Sequence, residues 1–169
     1  KVPSIGDAIQ IDGKLEERTW LEGEFDPTGR IGGLVPQNKN ANGKLDVRWD
    51  KDAVYISARA FGAGQPNFEI GIAPGVQVDA IEGSRFFVSV DHAGNVAGHC
   101  ERGGVQQPWT CDWEAKMTTD GNHAYVEIKV PVNSFKRYAA PANGRRWRLN
   151  ARFSRPEVGV SDKNMPWWG

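Results

Sequence analysis

Short runs in which apolar and polar residues alternate one by one, each closed by a turn signal, are what most restricts the fold of this 169-residue chain. Leu45, Val47 and Trp49 alternate with Asp46, Arg48 and Asp50, and after Lys51-Asp52 a second series runs through Val54, Ile56, Ala58 and Ala60. A period of two gives a strand one inward and one outward face, and a two-residue break between such runs makes a hairpin. Phe86, Val88 and Val90 repeat the pattern before the turn cluster Asp91-His92-Ala93-Gly94-Asn95, which leads into Val96 and Ala97. A short run from Trp113 to Met117, a turn at Asp120-Gly121-Asn122, and alternation of Ala124, Val126, Ile128 and Val130 up to Pro131 follow. Trp147, Leu149, Ala151 and Phe153 complete the set. Only single turns, over 14–20 and 132–138, read as helical. The 15 Val and 9 Ile against 5 Leu favour strands, and 20 Gly with 10 Pro imply many turns. The expectation is an all-β antiparallel sandwich, immunoglobulin-like or jelly-roll-like, forming one domain over 1–169 with short helical turns only. A parallel sheet would need crossover helices that the pattern lacks. The stretches 26–43 and 62–83, rich in Gly, Asn and Pro, read as long loops.

Charge removes some partners. With 21 basic and 21 acidic side chains the chain has no net field to draw in a phosphate backbone, so no nucleic acid is expected. Charges recur too often for the roughly 20 apolar residues of a membrane-spanning helix, so no membrane partner is expected either. Cys100 and Cys111 flank a Gly-Gly and Gln-Gln-Pro stretch that reads as a hairpin or long loop. A bridge there would stabilise by about 3 kcal/mol; two buried free thiols are the alternative, and the expectation is a disulfide. The start at Lys1 reads as a processed or excised domain.

Outward positions suggest what the sheets offer. If Leu149 and Ala151 point inward, Arg148, Asn150 and Arg152 share the outer face. The same alternation puts Tyr125, Glu127 and Lys129 outward on one strand and Tyr55, Ser57, Arg59 and Phe61 outward on another. Rings beside planar donors suit a sugar, with its apolar faces and hydroxyl rim; a solvated face with salt bridges, such as Glu127 with an arginine, is the plainer alternative. Seven Trp exceed what a core of this size needs. Trp20, Trp49 and Trp147 fall in the apolar phase, leaving Trp109, Trp113, Trp167 and Trp168 less committed. Candidate ligand residues are therefore Trp167, Trp168, Trp109, Tyr125, Arg148, Asn150, Arg152 and Glu82. No Ser or Cys stands in a nucleophile motif, His92, His99 and His123 fall beside turns, and Gly62-Ala63-Gly64 lacks the third glycine of a phosphate cradle. No catalysis is expected. Asp50, Asp52, Asp79, Glu82 and Asp91 carry the oxygen ligands calcium prefers, with Asp79, Glu82 and Asp91 as the candidate set.

The strings themselves resemble a family. Ile11-Asp12-Gly13-Lys14-Leu15-Glu16-Glu17-Arg18-Thr19-Trp20 is similar to the "IDG-x-LDE-x-x-W" opening of family 9 carbohydrate-binding modules. Val47 to Ile56 resembles their "V-x-W-D-x-x-x-LY-V" hairpin, and Phe86 to Asp91 their "V-E-I-F-I-D" strand. Asp120 to Pro131 resembles "GG-Y-x-x-E-x-x-I-P", and Trp147 to Arg152 resembles "W-x-x-N-x-x-R". The resemblance implies a β-sandwich that binds polysaccharide or oligosaccharide, is appended with other modules to a secreted, extracytoplasmic carbohydrate-active enzyme, and holds structural calcium in some members. It implies no organic cofactor. It also implies a clamp of two tryptophans on a terminal sugar, from which this chain departs: Ile81 stands at the first position, Phe87 replaces the strand's glutamate, and Trp167 or Trp168 matches the second. A platform for binding along a glycan chain is the expected replacement. DOMON-type cytochrome domains share the Asp-Gly opening, and they make haem held by a Met (Met117 or Met165) and a histidine the alternative. A structural or protein-binding sandwich of a surface assembly is a third reading.

Overall fold

The protein is described by a computed structural model covering residues 8–17, 20, 43–61, 67–74, 85–121, 123–135 and 147–154, with 43–45, 61 and 148–154 described through the backbone. Among the described residues, nine strands run in chain order: β1 Gly43–Trp49, β2 Ala53–Phe61, β3 Asn67–Pro74, β4 Arg85–Val90, β5 Val96–Arg102, β6 Val105–Pro108, β7 Glu114–Asp120, β8 His123–Pro131 and β9 Trp147–Ser154. A 3-10 turn, Val132–Phe135, follows β8. The strands form two antiparallel sheets, one ordered β1-β2-β8-β7 and the other β6-β5-β4-β3-β9. The all-β sandwich is as expected, with one correction. Residues 67–74 are not loop but β3, hydrogen-bonded to both β4 and β9 within the five-stranded sheet. Phe68, Ile70 and Ile72 carried the alternation, and Gly71 with Pro74 obscured it.

The inward phase of each strand makes the core. Val54, Ile56, Ala58, Val126, Ile128 and Val130 from the four-stranded sheet meet Phe68, Ile70, Ile72, Phe86, Val88 and Val90 from the five-stranded one, and all are buried. Burying such side chains contributes about 1.5–3 kcal/mol each, the usual scale for aliphatic burial. Hairpin turns are set by carboxylates. Asp50 Oδ1 accepts the backbone N–H of Asp52 and Ala53, both at 2.7 Å, while its Oδ2 accepts the Tyr55 hydroxyl at 3.0 Å. Asp91 does the same for β4–β5, accepting Ala93 and Asn95 N–H at 2.9 and 2.8 Å.

Tryptophan seals one end of the sandwich. Trp109, only 6% exposed, packs against Phe86 at a ring separation of 4.8 Å and edge-on to Trp113 at 5.2 Å, and donates its indole N–H to the Ser134 carbonyl. Phe135 extends the cluster to Trp147 at 5.0 Å. Trp109 is thus a core residue and not part of a ligand platform. Beside it, Cys100 and Cys111 are both free thiols, so the expected disulfide is not formed. Cys111 instead donates to the Ser134 hydroxyl at 2.9 Å, and burial pushes its thiol pKa up despite that bond. Both sulfurs pack on the core as small apolar groups.

The indole of Trp113 depends on a missing side chain. A Cβ on Gly98 would lie 2.0 Å from the Trp113 ring and 2.9 Å from the Phe87 carbonyl oxygen. Gly98→Ala is expected to destabilise the fold by about 1–3 kcal/mol, the usual cost of overpacking, with a changed near-UV dichroism from the displaced indole. Chemical denaturation of parent and variant checks this; equal midpoints would show that the ring moves aside freely.

Candidate functional site

The outer faces of the two sheets have different fates. On the four-stranded sheet, residues 9–17 and Trp20 lie across the outward positions. Leu15 and Trp20 form a second apolar cluster with Ala53 and Tyr55, and Ile9, Ile11 and Tyr125 pack against it. Glu127, outward on β8 and fully buried, holds this strap: its Oε2 accepts the N–H of Asp12 at 3.0 Å and of Gly13 at 2.8 Å, and its Oε1 accepts the Trp20 indole N–H at 2.8 Å. Gly13 adopts φ 81°, a conformation glycine takes without strain, and its carbonyl accepts the Thr118 hydroxyl. The solvated face with a Glu127–arginine salt bridge is therefore corrected. Backbone and indole donors compensate the carboxylate, as a buried acceptor requires.

Buried charge continues along this face. Arg48 is buried, ion-paired with Asp46, bonded to the Val47 carbonyl at 3.0 Å, and sits 5.8 Å from the Trp20 ring centroid. Burial raises the pKa of Asp46 against the pull of Arg48. Burial likewise raises that of Glu127 against the Gly13, Trp20 and Asp12 donors, and the charge on Glu17 raises it further. Tyr55 is pushed up to about 12, chiefly by burial and then by its bond to Asp50.

Of the three carboxylates expected to ligate calcium, the described residues contain one, Asp91. Both oxygens of Asp91 are engaged by their own turn, Oδ2 accepting the Asn95 amide at 2.8 Å, and Asn95 chiefly holds the Asp91 pKa below the carboxylate norm. Asp79 and Glu82 lie outside the described residues. Asp12, Glu17 and Glu127 do bring carboxylate oxygens within 4.8 Å of one another, and Glu17 Oε2 is buried without a hydrogen bond. Yet the three N–H donors already satisfy Glu127, whose observed work is to fasten the strap.

The outer face of the five-stranded sheet carries a different set. Register places Asn150 beside Gly71, Gly71 beside Phe87, Phe87 beside His99 and His99 beside Pro108. A parallel row runs Arg152, Glu69, Ser89, Ala97, and a third holds Arg85, Glu101 and Gln106, with Arg85 and Glu101 3.9 Å apart. The expected Arg148, Asn150 and Arg152 thus occupy alternate positions of one edge strand, in register with Ala73, Gly71 and Glu69. Tyr125 does not join them. It belongs to the opposite sheet, with the Arg59 guanidinium 5.9 Å from its ring and the strap cluster beside it. Trp167 and Trp168 lie outside the described residues. Glu69 is absent from the sequence-derived candidates because it lies on β3, in a stretch that reads as loop, and Ser89, Phe87 and His99 join its face only through the pairing of β3, β4 and β5.

A carbohydrate-binding module of family 9 from Caldicellulosiruptor kristjanssonii, solved in complex with cellotriose, superposes on this chain with a TM-score of 0.57 at 17% identity, covering 91% of this chain and 75% of that one. The chain has the fold of that module. No family model and no curated protein matches it. Among the described residues, no helix is long and apolar enough to cross a membrane, which says nothing of a β-barrel. Of the groups named for the haem alternative, Met117 packs on the core, His99 stacks on Phe87, His92 and His123 are exposed, and Met165 lies outside the described residues.

Two outcomes test the strap. Glu127→Ala strands the buried donors of Gly13 and Trp20 and the half-buried N–H of Asp12, and is expected to cost about 3–5 kcal/mol, with faster hydrogen exchange at Gly13 and in the Trp20 indole. The pH dependence has a defined sign. Because the folded pKa of Glu127 lies above the ordinary 4.5, its contribution is full below that value and is lost as pH rises through the folded value. The stability of the parent relative to Glu127→Gln should therefore fall as pH rises above the ordinary glutamate value of 4.5, and a rise in denaturation experiments would reverse the assigned role of burial.

Proposed function

We propose that this chain is a non-catalytic carbohydrate-binding module that takes an oligosaccharide or polysaccharide on the outer face of its five-stranded sheet, as one part of a secreted carbohydrate-active enzyme. The observation that carries the reading is the shared fold with a module solved holding cellotriose. The rest of the molecule supports it. The outer face of the four-stranded sheet is spent on the strap, whereas the other sheet aligns hydroxyl, amide, carboxylate and guanidinium positions with a phenylalanine and a histidine. Such groups suit a ligand of apolar ring faces and hydroxyl edges. Among the described residues of this face, the Ser89 hydroxyl donates to the Ala97 carbonyl and not to a base, which suits binding.

Affinity electrophoresis and calorimetry across cellulosic, xylan, mannan and pectic polysaccharides test the proposal. Retention by at least one glycan, weakened by about 1–3 kcal/mol in Arg152→Ala and in Trp167→Ala or Trp168→Ala with the thermal midpoint kept, is the expected result. Retention by none would overturn it.

A further inference from the structure

The Phe87–His99 pair stands apart from the polar rows around it. The two rings face each other across β4 and β5 at a centroid separation of 4.6 Å and an interplanar angle of 15°. That separation matches the spacing of adjacent strands, so the stacking axis runs across the sheet and the rings stand up from it. Phe87 is 4% exposed, although it occupies an outward position, whereas His99 keeps part of its surface in solvent. One imidazole face is therefore covered by Phe87, and the other is turned toward β6. There the register partner of His99 is Pro108, and all four residues of β6 are exposed. The result is a ledge: an imidazole wall backed by a phenyl ring, a pyrrolidine floor, and a rim formed by the Gln106 amide and the Glu101 carboxylate, which are also register partners.

We infer that this ledge is a subsite for one pyranose ring of an oligosaccharide, stacked on the outer face of His99 over Pro108, with Gln106 and Glu101 offered to its hydroxyls. The inference rests on the carbohydrate-binding reading and adds a position and a minimum ligand length. Phe87 acts as a positioning residue: by covering one imidazole face it fixes the plane of the other, so little rotamer freedom is lost when a sugar stacks there. Stacking on a prefixed ring tolerates many sugars, and direction comes from the amide and carboxylate on the rim. The ledge lies three strand spacings from β9, roughly 14 Å. A single sugar ring cannot reach from His99 to the Asn150 and Arg152 positions. The ligand that uses both must be an oligosaccharide.

The test is the dependence of affinity on chain length. Glucose, cellobiose, cellotriose and cellohexaose, or the corresponding series of whichever glycan the polysaccharide panel retains, are titrated calorimetrically into the parent, His99→Ala, His99→Phe and Gln106→Ala. The parent should gain affinity with length and bind the monosaccharide weakly. His99→Ala should lose about ten-fold of the long-chain affinity, on the scale of one lost stacking contact, and His99→Phe should restore it by keeping the ring. Gln106→Ala, at an exposed position of β6, should weaken binding with no change in thermal midpoint. A parent that binds glycan with the same affinity at every length, or a His99→Ala variant that binds as the parent does, overturns the subsite and leaves the carbohydrate-binding reading intact. A parent that binds none of the series or the panel overturns both.

Discussion

The carboxylate of Glu127 is the interaction on which the arrangement of this molecule depends. It stands in the middle of a sheet, fully buried, at a position where strand alternation would put it in water. An unpaired carboxylate there would cost several kcal/mol of lost hydration. Three N–H donors from residues 12, 13 and 20 replace that hydration, and in doing so they bring a segment more than a hundred residues distant onto the sheet. The strap in turn buries Leu15 and Trp20, so a polar bond and an apolar cluster hold the same segment. Neither works alone: without the strap the carboxylate is exposed, and without the carboxylate the donors at Asp12 and Gly13 are stranded.

This division sets what the outer face of each sheet carries among the described residues. The four-stranded sheet uses both of its faces for folding, one in the sandwich core and one under the strap. The five-stranded sheet shares the core but carries Glu69, Ser89, Arg85, Glu101 and the β9 positions on its other side. Asp50 and Asp91 organise hairpins, and Asp50 also anchors the hydroxyl of Tyr55, a member of the strap cluster. The tryptophans follow the same economy. Trp20 packs with the strap, and Trp109, Trp113 and Trp147 close the end of the sandwich with Phe86 and Phe135, so four of the indoles serve the fold.

Much of the fold was legible from residues alone. The two-residue period of 45–50, 54–60, 86–90, 124–130 and 147–153 is a local property, since neighbouring side chains on a strand must point to opposite faces. Gly71 and Pro74 hid β3 because each weakens strand propensity by itself, while its pairing with two neighbours outweighs that deficit. The candidate site was legible in part. The outward grouping of Arg148, Asn150 and Arg152 follows from alternation and matches their register against Glu69, Gly71 and Ala73. Tyr125 failed to join them because alternation says which side of its own sheet a residue faces, and not which of two sheets that is.

The sequence by itself therefore determined the class of fold, the positions of most strands, the turns governed by Asp50 and Asp91, and the inner and outer phase of each strand. These rest on contacts between residues a few positions apart. Only the tertiary structure decided which outer face is covered, that Glu127 fastens a strap, that Trp109 is core, that Cys100 and Cys111 stay apart as thiols, and that Phe87 backs His99. Each of these depends on which strands are neighbours and what crosses over them. A period of two fixes a side without naming what lies on it, and the free energy of burying a carboxylate or an indole is set by the partner that arrives from elsewhere in the chain.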